Sequence, residues 1–294
     1  MRSSIRSIAL ASCLLVGSGL AVPVVAPATT AAAAPVIVNR ALLTGPRLAS
    51  VNTAWSASNW SGYAESGSFS GVSSTWTVPT VAASAGPTYS STWIGVDGFS
   101  NARLIQVGTE QDYYGGAAHY NAWWELLPAP ETALSPAAYP VAPGNRMKAA
   151  IYAHAATTTV MSGTTPKVEH LWTIVLTDVT KGWTFSTVQA YNGPGTSAEW
   201  IHEAPLVNGS VSTLARYAVA APAATGDFDN AGIRHVLLAA GGSPVFRGAG
   251  LNYGLDAGTM VQGTAAVSTP SGVDAAQTAF NHAYGAVLPA RPLG

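Results

Sequence analysis

From Trp55 onward the chain alternates apolar and polar residues in short runs. Examples are "SGVSSTWTVPTV", "YSSTWIGVD", "RLIQVGTE", "AHYNAWWELL", "RMKAAIYAHA" and "HLWTIVLTDV". Runs rich in Val, Ile, Thr, Trp and Tyr, broken by Gly, Pro, Asn and Ser, predict antiparallel strands. In "HLWTIVLTDVTKGWTFSTVQ" two such runs flank the turn residues Asp178 to Gly182, which predicts a hairpin. Helical periodicity is weak throughout. "SGVDAAQTAFNHAYG" near the end fits a helix or a strand, because its Thr, Phe and Tyr suit either. No internal repeat points to a solenoid or propeller. The expected fold is all-β, a two-sheet antiparallel β-sandwich of jelly-roll or lectin-like type.

The stretch "SAEWIHEAP" (197–205) carries the densest candidate chemistry. As a strand it turns Glu199, Ile201 and Glu203 to one face and Trp200 and His202 to the other. Residues four apart on a strand stand about 13 Å apart, whereas the two carboxyls of a retaining glycosidase stand about 5 Å apart. Glu199 and Glu203 are therefore no acid and nucleophile couple, and a partner of either must come from another strand. The same alternation groups Leu104, Gln106 and Gly108, and separately Asn121, Trp123 and Glu125. A face bearing Gln, Glu and Trp suits an extended polymer, although strand-borne aromatics are ordinary core and a glutamine alone does not announce catalysis.

Composition narrows the setting. The 294 residues are 48% hydrophobic and only 9% charged, which suits a well-buried domain and excludes disorder. Residues 1–34 read as a secretory signal peptide: Arg2 and Arg6, then an apolar core, then small residues suited to cleavage. Residues 35–54 read as a short propeptide or N-terminal arm, and 55–294 as a single β-sandwich domain. A soluble, exported, extracellular protein is expected, with no membrane partner once the signal is removed. The one cysteine, Cys13, lies in the signal, so no disulfide and no thiolate chemistry is expected after it. The signal holds two of the 13 basic residues and none of the 14 acidic ones, which leaves the rest three charges negative and argues against nucleic acid. Acid unfolds proteins mainly by protonating carboxylates that the native state keeps ionised, so a chain with few of them is expected to tolerate acid.

Familiar catalytic motifs are missing. No serine carries the glycine spacing of a nucleophile elbow, and no Walker-type loop occurs. The six histidines, at 119, 154, 170, 202, 235 and 282, include no HExxH and no close pair, so no metal site and no cofactor are expected. "NWS" at Asn59 and "NGS" at Asn208 are acceptor sequons for glycosylation.

Seven short segments in order resemble one family: "NWSGY" (59–63), "TWIGVDG" (92–98), "LIQVG" (104–108), "YNAWWELLP" (120–128), "PGNRM" (143–147), "DVTKGW" (178–183) and "AEWIHEAP" (198–205). Together they are similar to the eqolisins, the glutamic peptidases. The resemblance implies a sandwich with substrate on a concave face and a catalytic Gln and Glu, which fall on Gln106 and Glu203. It also implies that Trp93, Asp97, Trp123 and Glu125 line or support the site, with Glu199 as an accessory carboxylate. The expected function is that of a secreted acid endopeptidase acting on polypeptides, expected as a monomer. A carbohydrate-binding sandwich, or a glycoside hydrolase using Glu203 with Glu125, is the alternative.

The chemistry of amide hydrolysis fits these residue types. A carboxyl can take a proton from water and pass it to the leaving nitrogen, while a glutamine amide can orient the water and donate to the oxyanion at any pH. A protonated glutamic acid that first polarises the carbonyl is the variant order of events.

Overall fold

A computed structural model describes residues 36–39, 54–217, 256–274, 279–286 and 288–291, and the backbone alone of 234–236, 238–239, 245–246 and 255. The expected signal peptide and most of the expected arm lie outside the described residues. In chain order the strands are β1 (Ile37–Val38), β2 (Trp55–Ala57), β3 (Trp60–Ser66), β4 (Gly71–Thr77), β5 (Ser91–Val96), β6 (Ile105–Tyr114) and β7 (Ala117–Leu126). There follow β8 (Thr132–Ala133), β9 (Arg146–Ser162), β10 (Thr165–Asp178), β11 (Trp183–Tyr191), β12 (Ser197–Glu203), β13 (Leu206–Val207) and β14 (Ser210–Val211). The last six are β15 (Arg234–Val236), β16 (Leu238–Ala239), β17 (Val245–Phe246), β18 (Leu255–Gln262), β19 (Ala265–Pro270) and β20 (Ala279–Tyr284). No helix occurs among the described residues, and none therefore is long and apolar enough to cross a membrane.

Two large sheets form the sandwich. The larger runs β15-β20-β19-β18-β3-β12-β5-β6-β7-β8, with β2 paired to β18, and the smaller runs β11-β10-β9-β4-β16-β17. The main core lies between them: Tyr63, Ile94, Val96, Ile105, Val107 and Trp200 of the larger sheet meet Val72, Trp76, Met147, Ile151, Ile174 and Leu176 of the smaller. Each contributes alternate positions of its strand, as the period of two requires.

Local sequence explains the best-formed elements. The expected hairpin is β10 and β11, paired from His170↔Tyr191 to Asp178↔Trp183. Its turn is closed by Asp178 Oδ1, which accepts from the N–H groups of Thr180 and Lys181, and by Gly182 at a φ of 77°. The segment that fits helix or strand alike is a strand over Ala279–Tyr284, where it pairs with β19. Ala279 and Phe280 are fully buried there, so packing against the sandwich decides what local pattern left open.

Candidate active site

β12 sits between β3 and β5, and β5 is followed outward by β6 and β7, all antiparallel. The register defines three cross-strand rows. The first is Trp60–Glu203–Ser91–Glu110–Asn121, the second Gly62–Ile201–Trp93–Gly108–Trp123, and the third Ala64–Glu199–Gly95–Gln106–Glu125. Successive rows are two residues apart along every strand, so all three share one face. It is the face turned away from the main core. A second apolar cluster of Trp55, Trp60, Trp93, Leu104, Trp123 and Ile201 occupies it.

The expected site residues Gln106, Glu203, Trp93, Trp123, Glu125 and Glu199 thus come together on one surface. Asp97 differs. It follows the end of β5 at a φ of 71° and is wholly buried. Its carboxylate accepts from Tyr191 Oη at 2.8 Å, Gly195 N at 2.9 Å, Thr196 N at 2.8 Å and Asn101 Nδ2 at 2.8 Å. Asp97 therefore ties the β11–β12 connection to the end of β5 rather than joining that face.

Glu203 is fully buried. Its Oε1 accepts from Asn59 Nδ2 at 2.8 Å and its Oε2 from Trp93 Nε1 at 2.9 Å. Trp93 is itself fixed by an edge contact with Trp60, ring centres 4.8 Å apart. Gly108 makes room between the indoles: a Cβ there would stand 2.5 Å from Trp93 Cβ, 2.5 Å from Thr92 O and 2.9 Å from Trp123 Cζ2. The Nε1 groups of Trp60 and Trp123 are buried with no acceptor among the described residues.

Gln106 is equally buried. Its Nε2 donates to the backbone oxygen of Asn39 at 2.6 Å and to Glu125 Oε2 at 2.5 Å, while its Oε1 has no partner among the described residues. A carbonyl oxygen can only accept, so the contact with Asn39 fixes which end of the amide points there. Gln106 and Glu203 do not touch: the row containing Trp93 and Gly108 lies between them.

Burial raises the proton affinity of several carboxyls of this face. Desolvation lifts Glu125 to about 9, against the pull of the Asn39 N–H and the Gln106 amide. Desolvation lifts Glu131 to about 7 and Asp112 to about 8. Glu110 is pushed well above the usual carboxyl range by burial first, then by the charges of Asp112 and Glu131. Glu199 goes the same way, again chiefly by burial. Asn39, Asn59, Trp60, Glu110, Asp112 and Glu131 were not among the sequence candidates. For Glu110 a signal existed, since the alternation Leu104–Gln106–Gly108 simply continues to it; Asn39 and Glu131 reach the site through long-range folding that no local pattern announces.

No group of three or more His, Cys, Asp or Glu side chains among the described residues could hold a metal ion. His202 lies on the opposite face of β12. Its Nδ1 is 3.2 Å from Thr92 Oγ1 and 2.9 Å from Tyr217 Oη, and its ring is 5.6 Å from that of His282.

Indoles, amides and carboxyls of raised proton affinity are thus gathered on one buried face. The sequence matches the Peptidase A4 family over residues 58–221, more than half of its length, so the chain belongs to that family and the protein is a glutamic peptidase. Among solved structures it is similar to scytalido-glutamic peptidase with a peptide based transition state analog, at a TM-score of 0.55 and 20% identity over 77% of this chain and 98% of that one. A second structure of that peptidase, with a transition state analog inhibitor, gives a TM-score of 0.56 and 21% identity over the same shares. SCP-B, a member of the eqolisin family of peptidases in a complex with the tripeptide Ala-Ile-His, gives 0.52 and 19%, again over 77% and 98%. These likenesses bear on the fold, which is the expected β-sandwich. No curated protein matches the chain.

Proposed function

We propose that the protein is a secreted endopeptidase active in acid, in which Glu203 and Gln106 form the catalytic pair. The observation that carries this reading is the division of labour across one face. Glu203 is a carboxylate steadied by two N–H donors, and Gln106 already directs its Nε2 at a backbone carbonyl oxygen. A peptide carbonyl placed on Gln106 Nε2 would gain a donor as its oxygen takes up charge. Glu203 would take a proton from the attacking water and return it to the leaving nitrogen. Gln106 Oε1, which has no partner among the described residues, can orient that water. Trp93 positions Glu203, Glu125 holds the Gln106 amide, Trp123 and Glu199 flank the groove, and Asp97 anchors β12 from behind.

The surroundings support acid activity. Glu131, Asp112 and Glu125 are neutral below their raised values of about 7, 8 and 9, so the face is free of mutual repulsion in acid. Above neutrality, beginning with Glu131, it charges and repels itself. The glutamine amide does not titrate. Export is supported by the signal-like leader, and scytalido-glutamic peptidase, of the same fold, binds a peptide based transition state analog.

The glycoside-hydrolase alternative loses support, because the chain belongs to a peptidase family. The test is cleavage of denatured protein between pH 2 and 8 by wild type, Glu203→Gln and Gln106→Ala. Both variants are expected to stay folded and lose at least about a hundredfold in rate. Retained activity in either refutes the assignment.

A further inference from the structure

The face that carries Gln106 and Glu203 reaches solvent at one end, and that end is built of stacked rings. The register Ser91↔Glu110 continues to the bridge Thr88↔Tyr113, so Tyr89 stands opposite Asp112, and Asp112 pairs with His119. Tyr89–Asp112–His119 is therefore a fourth row on the same face, next to the row that holds Glu203. Tyr114 follows two residues after Asp112 on β6, and its ring leans back into that row. The ring centre is 3.8 Å from that of His119, with the planes 8° apart, and 5.9 Å from that of Tyr89, with the planes 21° apart.

These rings are not core. Gln106, Glu203, Trp93 and Trp123 are fully buried, whereas Tyr89, Tyr114 and His119 are half-buried and the turn beside them, residues 115–118, is exposed. Nor does the turn need them: Gly115 and Gly116, at φ values of 61° and 82°, suit a tight β6–β7 hairpin by themselves. In the same row Asp112 is buried and fixed, its Oδ1 accepting from Ser90 N at 3.1 Å. Burial, and then the Asp112 carboxyl, raises the proton affinity of both tyrosine hydroxyls, so both phenols stay neutral in acid and at neutrality.

We infer that Tyr89, Tyr114 and His119 form a substrate subsite that takes an aromatic side chain of the polypeptide being cleaved. The inference rests on the proposed function and adds to it a preference among substrates. Neighbouring rows are about 7 Å apart along the strands, which is also the repeat of alternate side chains in an extended peptide. A peptide lying along the strands with its cleaved bond at Glu203 therefore brings the side chain about two residues further on to the stack. Ring faces held in fixed register give a Phe, Tyr or Trp side chain offset or edge contacts that an aliphatic one cannot make. Tyr114, between the other two rings, sets that geometry, and His119 is held against it with Nε2 3.1 Å from Tyr114 O.

The test takes a peptide that the protein cleaves at one bond and makes it with Phe or Ala at each of the three positions on either side of that bond. The kcat/KM of each version is measured at about pH 4. Wild type is expected to favour Phe over Ala by at least about tenfold at one position. Tyr114→Leu and His119→Leu, which keep apolar cover but remove a ring, should each bring that ratio below about threefold, while Tyr114→Phe keeps it. A ratio of two substrates on one enzyme does not depend on its folded fraction, so a merely structural role would leave it unmoved. No position with such a gain, or a gain unchanged in either leucine variant, overturns the inference, and the proposed function stands if Glu203→Gln is inactive on the same peptides. Cleavage by Glu203→Gln at the wild-type rate overturns the two together.

Discussion

Neighbouring residues of one strand meet opposite worlds in this molecule. On one side of β12 stand Glu199 and Glu203, among carboxyls whose proton affinity burial raises. On the core side stands His202, which burial and the nearby His282 hold well below the usual histidine range. His282 itself is lowered by burial to about 3. Both sides keep buried groups neutral, but they do so with opposite proton counts, and so they pull stability in opposite directions with pH.

The sign follows from linkage. A carboxyl raised in the folded state binds more protons there than when unfolded, so its contribution is fully present below its unfolded value and is lost as pH rises through its folded one. For Glu131, Asp112 and Glu125 that loss extends from about pH 4 up to about 7, 8 and 9. A histidine lowered in the folded state acts in reverse: its contribution is complete above the unfolded value and is lost as pH falls, for His282 from about 6.5 down to about 3. The shifted carboxyls outnumber the histidines. Maximum stability is therefore expected near pH 4, falling on both sides.

The contrast can be broken at several points. The largest effect on stability is expected for Asp97→Asn, which sets an amide N–H against one of the donors that now converge on the Asp97 carboxyl. A loss of about 3 kcal/mol in denaturant unfolding is expected, with weaker peptide binding as β12 loosens. Gly108→Ala comes next. Its Cβ has no room between Trp93, Thr92 O and Trp123, so about 1–3 kcal/mol should be lost, and activity with it as Trp93 shifts off Glu203. Smaller, and read as slopes rather than totals, are Glu131→Gln and His282→Gln. The first should flatten the fall in stability between about pH 5 and 7, and the second should flatten the acid limb below about pH 4 and steepen the fall just above it. Unchanged slopes would show that these groups keep ordinary affinities for protons.

The two faces also differ in what sequence alone can reveal. Alternation in "SAEWIHEAP" separates Glu203 from His202 correctly, because burial on both sides of a central strand pins its register. The β10–β11 hairpin is legible for the same local reason, with Asp178 and Gly182 supplying the turn. The groove's wiring is not legible. Asn59 reaches Glu203 across 144 residues of sequence, Trp93 across 110, and Asn39 reaches Gln106 across 67. Such contacts depend on how strands are ordered in the sheet, and short-range pattern carries no record of that order. Only the ordered set of motifs singled out Gln106.

The most direct measurement sets the two neighbours against each other. Initial rates of denatured-protein cleavage at about pH 4 are compared for wild type, Glu203→Gln and His202→Gln, each corrected for its folded fraction. Glu203→Gln is expected to lose about a thousandfold, as removal of a general base should, while His202→Gln stays within a few-fold of wild type. A Glu203→Gln rate within tenfold of wild type, or an equal loss in His202→Gln, would contradict the placing of the chemistry on the groove face.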